Sequence, residues 1–160
     1  MTKPAAPFPG FEPDYISQLT DIFENRIVFN KVMGLKVTSM GPDKVTGSLA
    51  MKPELVGHFQ YNRVHGGVVS ACLDALGGMA VSAAIGARHM DEPPALRLQR
   101  FGKLGTIDLR IDYLRPVIGE HFVLTAEVLR LGSRVGTTRM AFCGADGKLL
   151  SVGAAAYIVS

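Results

Sequence analysis

Residues 63–88 read RVHGGVVSACLDALGGMAVSAAIGAR, and between Val68 and Ala87 the only charged side chain is Asp74. A helix that is apolar on every side has to be wrapped on every side. The length of the run and its lack of β-branched stretches favour helix over strand, although Gly77 and Gly78 each cost about 1 kcal/mol relative to Ala. Paired glycines in mid-helix mark close packing by a neighbour. The run is long enough to span a bilayer, but a central Asp costs about 2.5–3.5 kcal/mol on insertion, and the segments after it alternate like strands of a soluble sheet. A buried helix in a soluble protein, with no membrane partner, is the expectation.

Asp74 is the informative residue of that helix. A carboxylate inside an apolar helix loses its hydration and is retained with a partner or for a purpose. One alternative is an Asp bonded to a neighbouring loop. The other is chemistry, and the Val64 to Gly67 segment favours it: two glycines starting a helix let a substrate approach backbone N–H groups that carry the positive end of the helix dipole. Such an end stabilises an anion or a developing oxyanion.

Spacing adds a constraint. Gly66 and Asp74 are eight residues apart, which on a helix is about 12 Å along the axis and about 80° around it. One reacting carbonyl cannot touch both, since each contact must be near 3 Å. If both act on one substrate, the Asp comes from a second copy of the chain and the site lies between two subunits of a symmetric dimer.

The remaining composition bounds the function. With 160 residues, 48% hydrophobic and 19% charged, the chain fits one domain with an ordinary core. A net charge of +3 and a pI near 9.0 suit anionic small molecules. No dense Lys/Arg run with interleaved aromatics points to nucleic acid. Cys72 and Cys143 lack metal-binding spacing and read as small core residues. The opening residues, with prolines at 4, 7 and 9, resemble neither a secretory signal nor a transit peptide, which points to the cytoplasm.

In chain order, residues 1–13 read as a flexible arm and 14–160 as the domain. An amphipathic helix begins at Asp14, its expected N-cap, with Tyr15, Ile16, Leu19, Ile22, Phe23 and Ile27 on one face. Residues 35–40 and 44–51, divided by Gly-Pro-Asp, form a hairpin, and 53–64 is loop before the central helix. Residues 88–105, carrying Arg97, Arg100 and Lys103, form a long polar connection, either a lid or a mobile insertion. Ile107, Leu109, Ile111 and Tyr113 then alternate with polar residues as a strand half facing the helix, and strands over 122–131, 135–143 and 149–159 follow. With no helices between them these strands must be antiparallel, so the expected class is α+β, one antiparallel sheet curled around the long apolar helix, plus an N-terminal helix.

The motifs GHFQYNRVHGGVVSACLDALGG and TIDLRIDYLRP are those of the hotdog-fold thioesterases of the PaaI type, and the chain most resembles their YigI-like branch of acyl-CoA thioesterases. The resemblance runs from about Val32 to Ser160, and the acid nine residues after the His of HGG is its most specific part. It implies that the Gly66 amide polarises the thioester carbonyl, that Gly67 supports the helix start, and that Asp74 of the other subunit is general base or nucleophile. It also implies that Thr106 holds the water, that the substrate is an acyl-CoA with no metal or organic cofactor, and that dimers pair into tetramers. His65 reads as a structural residue satisfied by loop carbonyls. The family places Asn or Gln six residues before this His, where the chain has Phe59; His58, Gln60 or Asn62 substitutes, with Asn62 and His58 preferred. Arg134, by resemblance, and Arg63, by its nearness to the motif, are candidates for the CoA phosphates, with solvated surface charge as the alternative.

Two other functions fit such a chain. A hotdog dehydratase or hydratase would use a His with an acid, and His58-Phe59 resembles its His-Phe without the Pro-rich context. A non-catalytic acyl-CoA sensor would need a DNA-binding segment, for which the first helix is too little. Met40, Met51 and Met79 suit a flexible medium- or long-chain acyl tunnel and equally an ordinary core.

Overall fold

The computed structural model describes residues 10–160. Most of the expected arm lies outside them. Its last residues are packed, with Phe11 buried against the ring of Tyr15 and Glu12 paired with Arg97. Helix α1 spans Pro13–Asp21 with Glu12 as N-cap. Asp14, expected to cap it, sits in the first turn instead, because Pro13 has a preset φ and no N–H to satisfy, and so takes the first helical position. A π-helical turn, Ile22–Arg26, follows, and α2 spans Val28–Met33. The chain breaks between them at Ile27, which is extended (φ −77°, ψ 94°).

Strands β1 (Lys36–Met40) and β2 (Lys44–Ala50) form the expected hairpin, closed by the Gly41 N–H to the Lys44 carbonyl at 2.8 Å. Within 53–64, expected to be loop, β3 (Val56–His58) pairs with β4 (Arg63–Val64) before α3 (Gly66–Arg88) begins. The connection 88–105 contains α4 (Pro94–Gln99) and is docked on the body through Arg97, whose side chain is fully buried. Strands β5 (Gly105–Tyr113), β6 (His121–Leu131), β7 (Val135–Gly144) and β8 (Leu149–Ile158) complete the fold.

The six-stranded sheet has the order β1-β2-β6-β7-β8-β5 and is antiparallel throughout. It wraps α3, as the sequence required. Val69, Leu73, Leu76 and Met79 of the helix are buried together with Leu49, Phe122, Leu124 and Phe142 of the sheet. Each such Leu or Met contributes about 1.5–3 kcal/mol relative to an exposed position. The most apolar stretch of α3 is 72% buried within the fold.

Two expectations need correction. The wrapping of α3 is one-sided in its first half, where Gly67 is exposed and Ser70, Ala71, Asp74 and Ala75 are half-buried. The sheet ends at β5, which touches that face only at its edge through Thr106 and Tyr113, so no described strand covers it. The alternation of β5 also fails at Ile107, which is 56% exposed while Leu109 and Ile111 are packed against the core. A bulge in the pairing with β8, between Thr106 and Asp108, shifts the phase at that residue.

Candidate active site

The start of α3 is fixed by His65, in an extended N-cap conformation with its Nδ1 accepting the Gly67 N–H at 2.8 Å. The ring was expected to be held by loop carbonyls. It accepts from a backbone donor instead, which puts the proton of a neutral ring on Nε2. The His65 carbonyl takes the N–H groups of Val68 and Val69. A first helical residue has no intrahelical acceptor one turn back, so the Gly66 N–H is the donor of this helix start that His65 does not use. The Gly66 carbonyl accepts from the Tyr113 hydroxyl at 2.7 Å, which ties the helix start to the far end of β5.

Two turns along α3, the Oδ1 of Asp74 accepts from the Thr106 hydroxyl at 2.8 Å. The bulge at Ile107 lies directly beside that contact, and bulges re-aim neighbouring side chains. Tyr157 donates its hydroxyl to the Asp74 main-chain carbonyl at 2.8 Å, passing so close to Gly77 that a Cβ there would lie 2.2 Å from the phenol oxygen. This is the close approach that the glycine pair signals. Burial, reinforced by the Asp74 charge, pushes the Tyr157 phenol well above its ordinary value, so it stays a donor.

Asp74 is half-buried and opens into a mostly apolar cleft of about 250 Å³. Its walls include Phe23, Ile27 and Phe29 from the N-terminal segment and Phe101 and Leu104 from the connection after α4. Asn30, buried in the same wall, donates its side-chain amide to the Phe23 carbonyl at 2.9 Å. A carboxylate and a hydroxyl in the lining of an apolar slot suit an uncharged, chain-bearing substrate attacked at a polar end.

The other residues singled out in the sequence sit elsewhere. His58, Gln60, Asn62 and Arg63 belong to the β3–β4 segment, outside the Asp74 cleft. The His58 ring packs 4.9 Å from that of Tyr61, and its Nδ1 is buried with no partner among the described residues. Asn62 adopts the left-handed conformation, φ 47°, with an exposed side chain. Arg134 is exposed in the β6–β7 turn, where its carbonyl accepts the Val159 N–H. Within one chain, Asp74 and Thr106 are therefore brought together, while Gly66, Gly67 and His65 form a second group about 12 Å along the same helix. Sequence reasoning missed Tyr113, Tyr157 and Asn30; only Tyr157 left a trace, in the glycine pair that accommodates it.

Neither cysteine offers chemistry in its native setting. Burial pushes the Cys72 thiol up to about 12 and raises that of Cys143. No cluster of three or more His, Cys, Asp or Glu able to hold a metal exists among the described residues.

Comparison with known proteins matches residues 61–151 to the model of the thioesterase superfamily. The chain is 32% identical over 141 residues to the medium/long-chain acyl-CoA thioesterase YigI of Escherichia coli, covering 87% of this chain and 90% of that one. A crystal structure of a Shewanella oneidensis protein related to the thioesterase superfamily superposes with a TM-score of 0.86 at 33% identity, covering 94% of this chain and all of that one (100%). Thioesterase superfamily member 2 of Mus musculus shares the fold, with a TM-score of 0.70 at 20% identity, covering 90% of this chain and 96% of that one.

Proposed function

Since the chain belongs to the thioesterase superfamily and has its hotdog fold, we propose that this enzyme hydrolyses medium- or long-chain fatty acyl-CoA to the free acid and CoA at a site shared between two subunits. The observation that carries this reading is the Asp74–Thr106 pair in an apolar cleft, on the same helix as a glycine start but too far from it to share one carbonyl.

The Gly66 N–H of one subunit polarises the thioester carbonyl, and Asp74 of the other takes a proton from water held by Thr106. Water oxygen bonds to the carbonyl carbon, and the oxyanion that forms is stabilised at the helix N-terminus. The tetrahedral centre then collapses, the C–S bond breaks, and the sulfur leaves with a proton as CoA. In the alternative course Asp74 attacks the carbonyl directly, CoA thiolate leaves, and water cleaves the resulting mixed anhydride; attack of that water on the Asp carbonyl would leave solvent heavy oxygen in the enzyme's carboxylate after a single turnover.

The topology supports the shared site. Strand β5 pairs with β8 and has no second neighbour among the described residues, yet it is nine residues long and exposes Ile107 and Tyr113. An unprotected edge of that length is a template for a second copy. Thr106, near one end of β5, touches Asp74, and Tyr113, at the other end, touches Gly66. Antiparallel pairing of two β5 edges would therefore bring the Gly66 end of one subunit toward Asp74 of the other. In this reading His58 or Asn62 makes the auxiliary polar contact, Arg63 and Arg134 meet the CoA phosphates, residues 14–160 form the catalytic domain, and the enzyme is a cytoplasmic pair of dimers without a cofactor.

A thiol-trapping assay over an acyl-CoA panel tests it. CoA release from medium or long chains, surviving EDTA dialysis, is expected. Hydration of enoyl-CoA without thiol release would replace hydrolysis with the dehydratase reading, and activity confined to short polar acyl groups would overturn the chain-length claim.

A further inference from the structure

The Asp74 cleft, at about 250 Å³, is small for the substrate assigned to it, since pockets that enclose drug-sized ligands run from about 300 to 1,000 Å³. A second groove of about 890 Å³ lies between the N-terminal helical segment and the α4 region. Ile27 and Phe101 line both. The two spaces therefore meet at that pair of side chains.

The local structure explains how one short segment serves both. In the π turn, the Ile27 N–H reaches back five residues to the Ile22 carbonyl at 2.9 Å, and the widened turn changes the phase of the helix face. Phe23 faces the cleft, Ile22 faces the groove, and Ile27 borders both. On the opposite wall Leu98 and Ala95 continue the apolar surface beyond Phe101, while Gln18, Asp21, Arg26 and Gln99 form a polar rim. Arg97 holds the two walls in place. It is buried beneath them, paired with Glu12 and lying 4.4 Å over the ring of Tyr15.

We propose that this groove receives the distal end of the acyl chain, which passes between Ile27 and Phe101, so that the groove sets the upper limit of chain length. Ile22, Ile27, Leu98 and Phe101 offer a hydrocarbon end apolar contacts beside the carboxylate's cleft, and the polar residues among them mark where the chain meets water. The proposal rests on the acyl-CoA reading, and its test separates the two.

Binding of non-hydrolysable S-alkyl-CoA thioethers of increasing length is measured by calorimetry for wild type, Ala95→Trp and Gly102→Trp, alongside kcat/KM for the matching acyl-CoAs. Gly102 lines the groove, and a Cβ there meets nothing within 4 Å, so the backbone position accepts a side chain without displacing a neighbour. Wild-type affinity should rise about fourfold per methylene until the groove is full. In both variants the rise should stop at shorter chains, with the kcat/KM optimum moving the same way. Plateaus that coincide with wild type in both folded variants, or no dependence on length in wild type, would overturn the groove assignment. Turnover with unshifted plateaus would refute the groove and leave the thioesterase reading. Shifted plateaus without turnover would do the reverse.

Discussion

The Thr106 hydroxyl donates to the Asp74 carboxylate across 2.8 Å, joining the beginning of β5 to the middle of α3 in the lining of an apolar cleft. A hydrogen bond to a charged acceptor contributes about 1.5–3 kcal/mol, and here it also orients the carboxylate. Thr106→Val should lower kcat about ten- to hundredfold, whereas Thr106→Ser, which keeps the hydroxyl, should stay near wild type. Equal activity of the two variants would show that the hydroxyl has no part in the reaction.

Asp74→Ala and Asp74→Asn should both lose at least about a hundredfold in kcat, the scale of a missing general base. Neither should lower Tm appreciably, because Asp74 is half-buried and its main-chain carbonyl, the group bonded to Tyr157, survives both changes. Retention of more than about a tenth of wild-type kcat, equivalent to about 1.4 kcal/mol of barrier, would remove Asp74 from the mechanism.

The two adjacent glycines should respond differently to a methyl group. A Cβ on Gly77 would sit 2.2 Å from the Tyr157 oxygen and 2.9 Å from the Met140 sulfur. Overpacking of about 1–3 kcal/mol should there outweigh the gain of about 1 kcal/mol in helix propensity. On Gly78 the nearest atom is a Leu104 methyl at 3.2 Å, the end of a flexible side chain. Gly77→Ala should thus lower Tm and Gly78→Ala leave it level or raise it, as read by calorimetric melting; the opposite order would contradict the packing described.

Burial raises the Tyr15 phenol from 10.0 to about 12 and the Cys72 thiol from 9.0 to about 12. The fold therefore prefers both groups neutral. Their contribution to stability is complete below the unfolded values and is lost as pH rises toward about 12. Denaturant midpoints should begin to fall at about pH 9 and steepen above about pH 10, with a gentler fall in Tyr15→Phe. Midpoints that stay level across that window would show these groups to be solvated.

Much of this architecture is legible in the residues themselves. The apolar run, broken only by Asp74, is the buried helix it reads as, and the late strands fall within a residue of the expected 122–131, 135–143 and 149–159. What is not legible depends on partners distant in sequence. Arg97 reads as one of several surface cations in a polar connection, yet Glu12 and the Tyr15 ring draw it into the interior. Ile107 keeps perfect alternation in sequence, and only the pairing with β8 reveals the bulge. Of the site, Asp74, Gly66 and Thr106 are readable from motif and spacing. Tyr113 and Tyr157 are not, because each acts through one hydroxyl on a main-chain carbonyl some tens of residues away, a contact with no local pattern.

The central claim is that one site takes its amide from one chain and its carboxylate from another, and mixing two inactive variants tests it most directly. Gly66→Val should block the approach to the Gly66 N–H by placing a branched side chain at the helix start, where the first added carbon makes only ordinary contact, 3.4 Å, with the Tyr113 ring, and Asp74→Ala removes the base. Each homodimer is then inactive at both sites. After joint refolding about half of the dimers are hybrids, and each hybrid has one site with both defects and one with neither. The account predicts recovery to about one quarter of wild-type activity. A mixture as inactive as its parents, with heterodimers confirmed by mass spectrometry, would place both groups of the site in a single subunit and contradict it.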